Sequence, residues 1–225
     1  PLRLMSKRAI GMASLLAGRA RKFRLERLGE AVDRALGLEP DHVLITGDLT
    51  TTALKGEFDD ALRGLSPLLD APSRATVIPG NHDRYTGRSH RNREFERHFG
   101  RFMPSESFPW IRFIDDRTAI LGLDATRAHI SATGRLPEAQ LQEAARLLET
   151  TVPRPARLIV ASHYPVLAPP VYREELYSKR MLNADEVLAW LDSVGPHLYC
   201  CGHVHAAWSY RPKERRDHVC LNAGA

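Results

Sequence analysis

Short apolar runs of strand length recur along this chain, and helical stripes separate most of them; that alternation limits the fold more than any other feature. From Phe23 to Leu38, apolar residues fall at Leu25, Leu28, Val32, Ala35 and Leu36, on one face of a helix. Pro40 ends it, and "HVLIT" (42–46) follows as a run suited to a buried parallel strand. A second stripe through Phe58, Leu62, Leu65 and Leu69 leads to "ATVI" (75–78), the next strand. Strands are expected again in "AILGLD" (119–124), "RLIVASHYP" (157–165), "HLYCCGHVH" (197–205) and "HVCLNAGA" (218–225). Helices are expected at 136–149, with Pro137 in the first turn, and at about 184–193. Residues 86–117 are polar and aromatic, with helical patches but no clear period, and read as a long excursion over the active face. Strands alternating with helices of this length imply an α/β layered sheet.

At 225 residues the chain suits one large α/β domain spanning 1–225, and is short for two. No apolar run approaches the ~20 residues that cross a bilayer. Cys200, Cys201 and Cys220 have no zinc-type spacing and are odd in number, so reduced thiols in a cytoplasmic protein are expected. The net charge of +5 is uneven: residues 1–27 hold eight Lys/Arg against Glu26, whereas the rest is slightly acidic. With Leu2, Leu4, Met5, Ile10 and Leu15 interspersed, 1–27 reads either as a basic helix touching an anionic surface or as a solvated face packed through its apolar side. Nucleic acid is not an expected partner, because Phe23 is the only aromatic residue there.

Four expected strand ends carry chemistry: Gly47-Asp48, Gly80-Asn81-His82-Asp83, His163, and Gly202-His203-Val204-His205. Loops leaving the carboxyl ends of strands converge in open α/β sheets, so residues far apart in sequence can meet. If the backbone of "HVH" is extended, both imidazoles point to the same side. A carboxylate, an amide oxygen and imidazoles, without thiolate, suit divalent Mn, Fe, Zn or Co. Two such ions would polarise a phosphoryl group and generate hydroxide near neutral pH, and the two oxygens of Asp48 could bridge them. GD, GNHD or a single histidine alone is weak and GHVH alone moderately specific; the ordered set is specific.

The set resembles the calcineurin-like metallophosphoesterase family, whose motifs run D-x-H, G-D, G-N-H-D/E, H and G-H-x-H; here the last four are 47–48, 80–83, 163 and 202–205. The resemblance implies a four-layer α/β/β/α sandwich with a dinuclear metal centre at the loops leaving the strands. It implies that Asp48 bridges two divalent ions, that Asn81, His163 and His203 complete one, and that His205 serves the other. His82 would be a non-ligand acid beside the leaving-group oxygen, oriented by Asp83. Arg84 and Tyr85 follow the motif directly and read either as lining the substrate pocket or as part of a solvated loop. The reaction implied is metal-dependent hydrolysis of a small phosphorylated substrate, leaning to phosphodiesters.

The family's D-x-H has no counterpart upstream of Asp48; in "EPDHV" (39–43) Asp41 and His42 are adjacent. The chain is therefore expected to start just past that motif, with the first strand and one or more closing strands outside it. One ion would then keep only Asp48 and His205, fewer than the three protein ligands usual for an open site. A non-catalytic metal-binding or scaffold protein with a half-complete site is the alternative reading.

Overall fold

The computed structural model is described for residues 25–129 and 131–224. The basic segment 1–27 therefore lies almost wholly outside the described residues. The described chain begins with α1 (Leu25–Leu36), β1 (Val43–Ile45), α2 (Lys55–Leu65) and β2 (Ala75–Val77). Next come α3 (Gly87–Arg91), α4 (Glu94–Phe99), β3 (Trp110–Phe113), β4 (Thr118–Gly122) and α5 (Glu138–Thr150). The remainder is β5 (Arg157–Ala161), α6 (Arg173–Tyr177), α7 (Ala184–Val194), β6 (His197–Cys201), β7 (Trp208–Tyr210) and β8 (His218–Asn222). No helix among the described residues is long and apolar enough to cross a membrane.

These strands form two sheets. β1 and β2 pair in parallel, while the larger sheet has the order β3-β4-β5-β6-β8-β7. Its four central strands are parallel and its two edge strands antiparallel. Alternation along each central strand divides the core, because successive side chains point to opposite faces. In β4, Ile120 joins the cluster containing Val32, Phe58, Val77 and Phe99, whereas Leu121 joins that of Ala144, Val187 and Leu191. In β5, Ala161 faces the first cluster and Val160 the second. The layers are accordingly helices α1, α2 and α4, the small sheet, the large sheet, and helices α5 and α7. This is the expected four-layer sandwich.

The segment 86–117 departs from expectation. It contributes to the core: Phe95, Phe99 and Phe102 are fully buried in the first core cluster. Their spacing of four and three residues is a helical stripe, hidden in the sequence by charged residues on the other side of α4. Trp110–Phe113 then supplies an edge strand paired antiparallel to β4, with Trp110 buried.

At the amino ends of β6 and β8, away from the motif loops, His197 and His218 meet in the core. His197 Nδ1 lies 2.7 Å from the Gly195 carbonyl, and its Nε2 lies 2.7 Å from His218 Nδ1. Burial lowers both pKa values, and the neighbouring His197 helps push His218 down to about 4. A histidine harder to protonate when folded than when unfolded costs stability as pH falls from its ordinary value to its folded one. Between pH 6.5 and 4 the chain is expected to lose about 2–3 kcal/mol through His218. Urea unfolding of wild type and His218→Gln across that window checks this; parallel stability–pH profiles for the two would refute it.

Candidate metal centre

The site begins with a strained turn. Gly47 (φ +89°) and Asp48 (φ +62°) leave β1 in the left-handed region, which glycine and aspartate tolerate best. A Cβ on Gly47 would sit 2.2 Å from the backbone nitrogen of Gly80, so the loops after β1 and β2 touch through bare backbone. Asp83 locks them together. Its buried carboxylate accepts the N–H groups of Asp48 (2.8 Å), Gly80 (2.8 Å) and Thr50 (3.0 Å), and the Thr50 hydroxyl (3.1 Å). Burial and repulsion from Asp48 raise the Asp83 carboxyl to about 6, against the pull of the Gly80 N–H.

Asp83 therefore does not orient His82. The carbonyl of Thr51 does, accepting from His82 Nδ1 at 2.7 Å, and Tyr85 stacks on the imidazole at 5.4 Å between centroids. The expected pairing of His82 with Asp83 fails because the aspartate's acceptor sites are all turned to the two loops. Arg84 is also not a pocket-lining residue: it is 3% exposed and paired with Glu96 and Asp124.

From the other sheet, His163 follows β5 and His203 follows β6. His163 Nε2 lies 3.1 Å from Asn81 Oδ1, 3.3 Å from Asp48 Oδ2 and 3.2 Å from His203 Nδ1. Asp48, His163 and His203 offer one ligand atom each within 4.8 Å of one another. The outer ring nitrogens fix the tautomers. His163 Nδ1 lies 2.7 Å from the Thr46 carbonyl and His203 Nε2 2.9 Å from the Lys179 carbonyl, so each of those nitrogens carries the proton. The inner nitrogens are left as lone pairs beside a carboxylate and an amide oxygen. Four acceptors crowding one point without a donor is the arrangement a cation relieves, and carbonyl-anchored imidazoles are typical of metal ligands. The residues present fit a divalent metal.

Electrostatics agree. Burial alone would raise the Asp48 carboxyl, yet His163 and His82 hold it well below the usual carboxylate range. For His163, burial is outweighed by the Asp48 carboxylate and the pKa rises, so without a cation a proton on Nε2 meets the same crowding of acceptors, and a bound metal would take that proton's place. Burial and the neighbouring His163 push His203 down to about 3, keeping it neutral and ready to ligate.

His205 does not join the cluster. His203 has φ +71°, and Val204 N–H bonds back to the Gly202 carbonyl at 2.8 Å, a three-residue γ-turn. A second such bond joins Ala206 to Val204 at 2.8 Å. The backbone is thus folded, not extended as expected, so His203 is buried while His205 is exposed at the rim. Asn222, at the end of β8, holds this shape by donating to the carbonyls of Val204 and Ala206, each at 2.7 Å. Sequence reasoning missed Asn222, Thr46, Thr51 and Lys179; three of them act through backbone carbonyls, which any residue type supplies.

The sequence profile of the calcineurin-like phosphoesterase family matches residues 21–207. No curated protein matches the sequence. Among solved structures, a dimetal phosphatase from Danio rerio is similar at a TM-score of 0.65 and 17% identity, over 89% of this chain and 77% of that one. Phosphopantetheinyl hydrolase from Mycobacterium tuberculosis is similar at a TM-score of 0.50 and 13% identity, over 82% and 80%. At these identities the likeness to the two structures is one of fold. The profile match, spanning the GD, GNHD, His163 and GHVH motifs, establishes more: the chain belongs to the calcineurin-like phosphoesterase family.

Proposed function

We propose that the chain hydrolyses a small phosphorylated substrate, phosphodiesters in preference to monoesters, at a centre holding two divalent cations. The observation that carries this is the convergence of Asp48, Asn81, His163 and His203, drawn from both sheets, with their lone pairs turned inward. Bound there, Mn, Fe, Zn or Co supplies Lewis acidity toward a phosphoryl oxygen and lowers the pKa of water. Asp48 would serve both positions, and His205, exposed at the rim, would be the further side chain offered to the second. His82 holds a proton for the leaving oxygen. With Nδ1–H given to Thr51, the transferable proton sits on Nε2, and stacking on Tyr85 keeps the ring in plane. Arg84, committed to two carboxylates, is not available to hold a phosphate charge.

In Mn²⁺ the purified chain should cleave bis(p-nitrophenyl) phosphate, and EDTA should abolish the activity. His82→Ala is expected to lower kcat by about 10²–10³-fold with metal content unchanged. A higher kcat/KM for p-nitrophenyl phosphate than for the diester would sink the diester preference. Metal bound at this centre without hydrolysis of either ester would leave the non-catalytic scaffold as the better reading.

A further inference from the structure

The two sheets supply opposite halves of the donor set. Asp48 and Asn81 stand beyond β1 and β2, and His163 and His203 beyond β5 and β6. Whatever joins the sheets at this end sets how well the halves meet, and beside the His163–Thr46 contact a largely buried ion pair does so. Arg84 follows the GNHD turn directly, and its N–H closes that turn onto the Gly80 carbonyl at 3.3 Å. Its guanidinium reaches Glu96 on α4 at 2.6 Å and Asp124, just past β4, at 3.3 Å. The cation also rests 5.5 Å from the centroid of the Phe95 ring.

Asp124 is itself held rigidly to the large sheet. Its N–H donates to Gln140 on α5 at 2.7 Å, and Gln140 donates back to its carbonyl at 3.1 Å. Its Oδ1 accepts the Thr126 N–H at 2.8 Å and the Thr126 hydroxyl at 2.5 Å. On the small-sheet side, Asp83 carries the constraint from the GNHD turn to the backbone of Asp48. A continuous set of contacts thus runs from α5 through Asp124 and Arg84 to the carboxylate at the centre of the site. Charges as little exposed as Arg84 and Glu96, with Asp124 part-buried beside them, are screened little by salt.

We propose that the Arg84–Asp124 ion pair is a positioning device that holds the two halves of the metal centre in register, setting metal affinity without contacting the metal; this rests on the metal-centre reading above. Outer residues that orient ligands commonly govern affinity in this way.

Titration calorimetry with Mn²⁺ on the full chain tests it, comparing wild type, Asp124→Asn and Leu191→Ala. Asp124→Asn keeps the side chain's size and leaves Arg84 paired with Glu96. Leu191→Ala opens the fully buried core on the far face of the large sheet, and serves as a destabilised control remote from the site. Asp124→Asn is expected to raise the Mn²⁺ Kd about tenfold. Leu191→Ala should lower the melting temperature at least as far but leave the Kd within about twofold. The clamp is overturned if the Asp124→Asn Kd stays within about twofold of wild type, or if the control weakens binding equally. Wild type that binds no Mn²⁺ overturns the metal centre itself, and the clamp with it.

Discussion

Asp48→Asn is expected to give a folded chain with almost no phosphoesterase activity. Asparagine is among the few residues at ease at φ +62°, so the turn after β1 survives the substitution. Its Oδ1 can still accept the His82 N–H, which now lies 2.9 Å from Asp48 Oδ1. The change falls on the other atom. Asp48 Oδ2 is 3.3 Å from His163 Nε2, and an amide nitrogen in its place would donate to that lone pair. Two candidate ligand atoms would then satisfy each other, and the negative charge offered to a cation would be gone. Several kcal/mol of transition-state charge stabilisation is at stake, so kcat/KM should fall about 10³-fold. Mn²⁺ titration and thermal melting separate site from fold. Wild-type metal affinity in Asp48→Asn would show that the carboxylate is not a ligand.

Gly47→Ala should act in the opposite way, through the fold. The added methyl group would sit 2.2 Å from Gly80 N, 2.5 Å from Pro79 C and 2.6 Å from Gly80 Cα, all backbone atoms that no rotamer change can move aside. The alanine would also have to hold φ +89°. Relief requires the loops after β1 and β2 to separate, which breaks the bonds Asp83 makes to both. Strain and lost hydrogen bonds together are expected to cost about 3–5 kcal/mol, read as a large drop in the urea midpoint. Metal affinity should fall as well, since Asp48 and Asn81 leave these two loops. A Gly47→Ala protein with unchanged midpoint would mean the loops are more pliant than their packing indicates.

Much of this was legible in the chain, for identifiable reasons. β1, β2, β4, β5 and β8 are short runs carrying β-branched and aliphatic residues, and β6 is a short Leu-Tyr-Cys-Cys run; all are bounded by glycine, proline or polar clusters, and those signals are local. α5 and α7 have stripes uninterrupted by charge on the buried side. By contrast, α4 and β3 were lost in one polar stretch: Phe95, Phe99 and Phe102 are only three large residues among arginines and glutamates, and the core they enter is built by distant α2 and β2. β7 was missed because Trp208–Tyr210 has no period of its own and is a strand only by pairing with β8. Asp48, Asn81, His163 and His203 were identifiable because a metal demands particular atoms, and few side chains carry them.

Residue types and their order determined which atoms could ligate a metal and that those atoms would sit at strand ends, since both follow from chemistry and short-range periodicity. Only the tertiary structure decided what each neighbour does. Asp83 joins two loops rather than His82, Arg84 is spent across the sheets, and His205 turns out to the rim while His203 turns in. Those outcomes depend on which carbonyl or N–H lies within 3 Å, on left-handed backbone at Asp48 and His203, and on contacts between residues tens of positions apart. Sequence spacing carries no record of such distances, because chain closure through two packed sheets creates them.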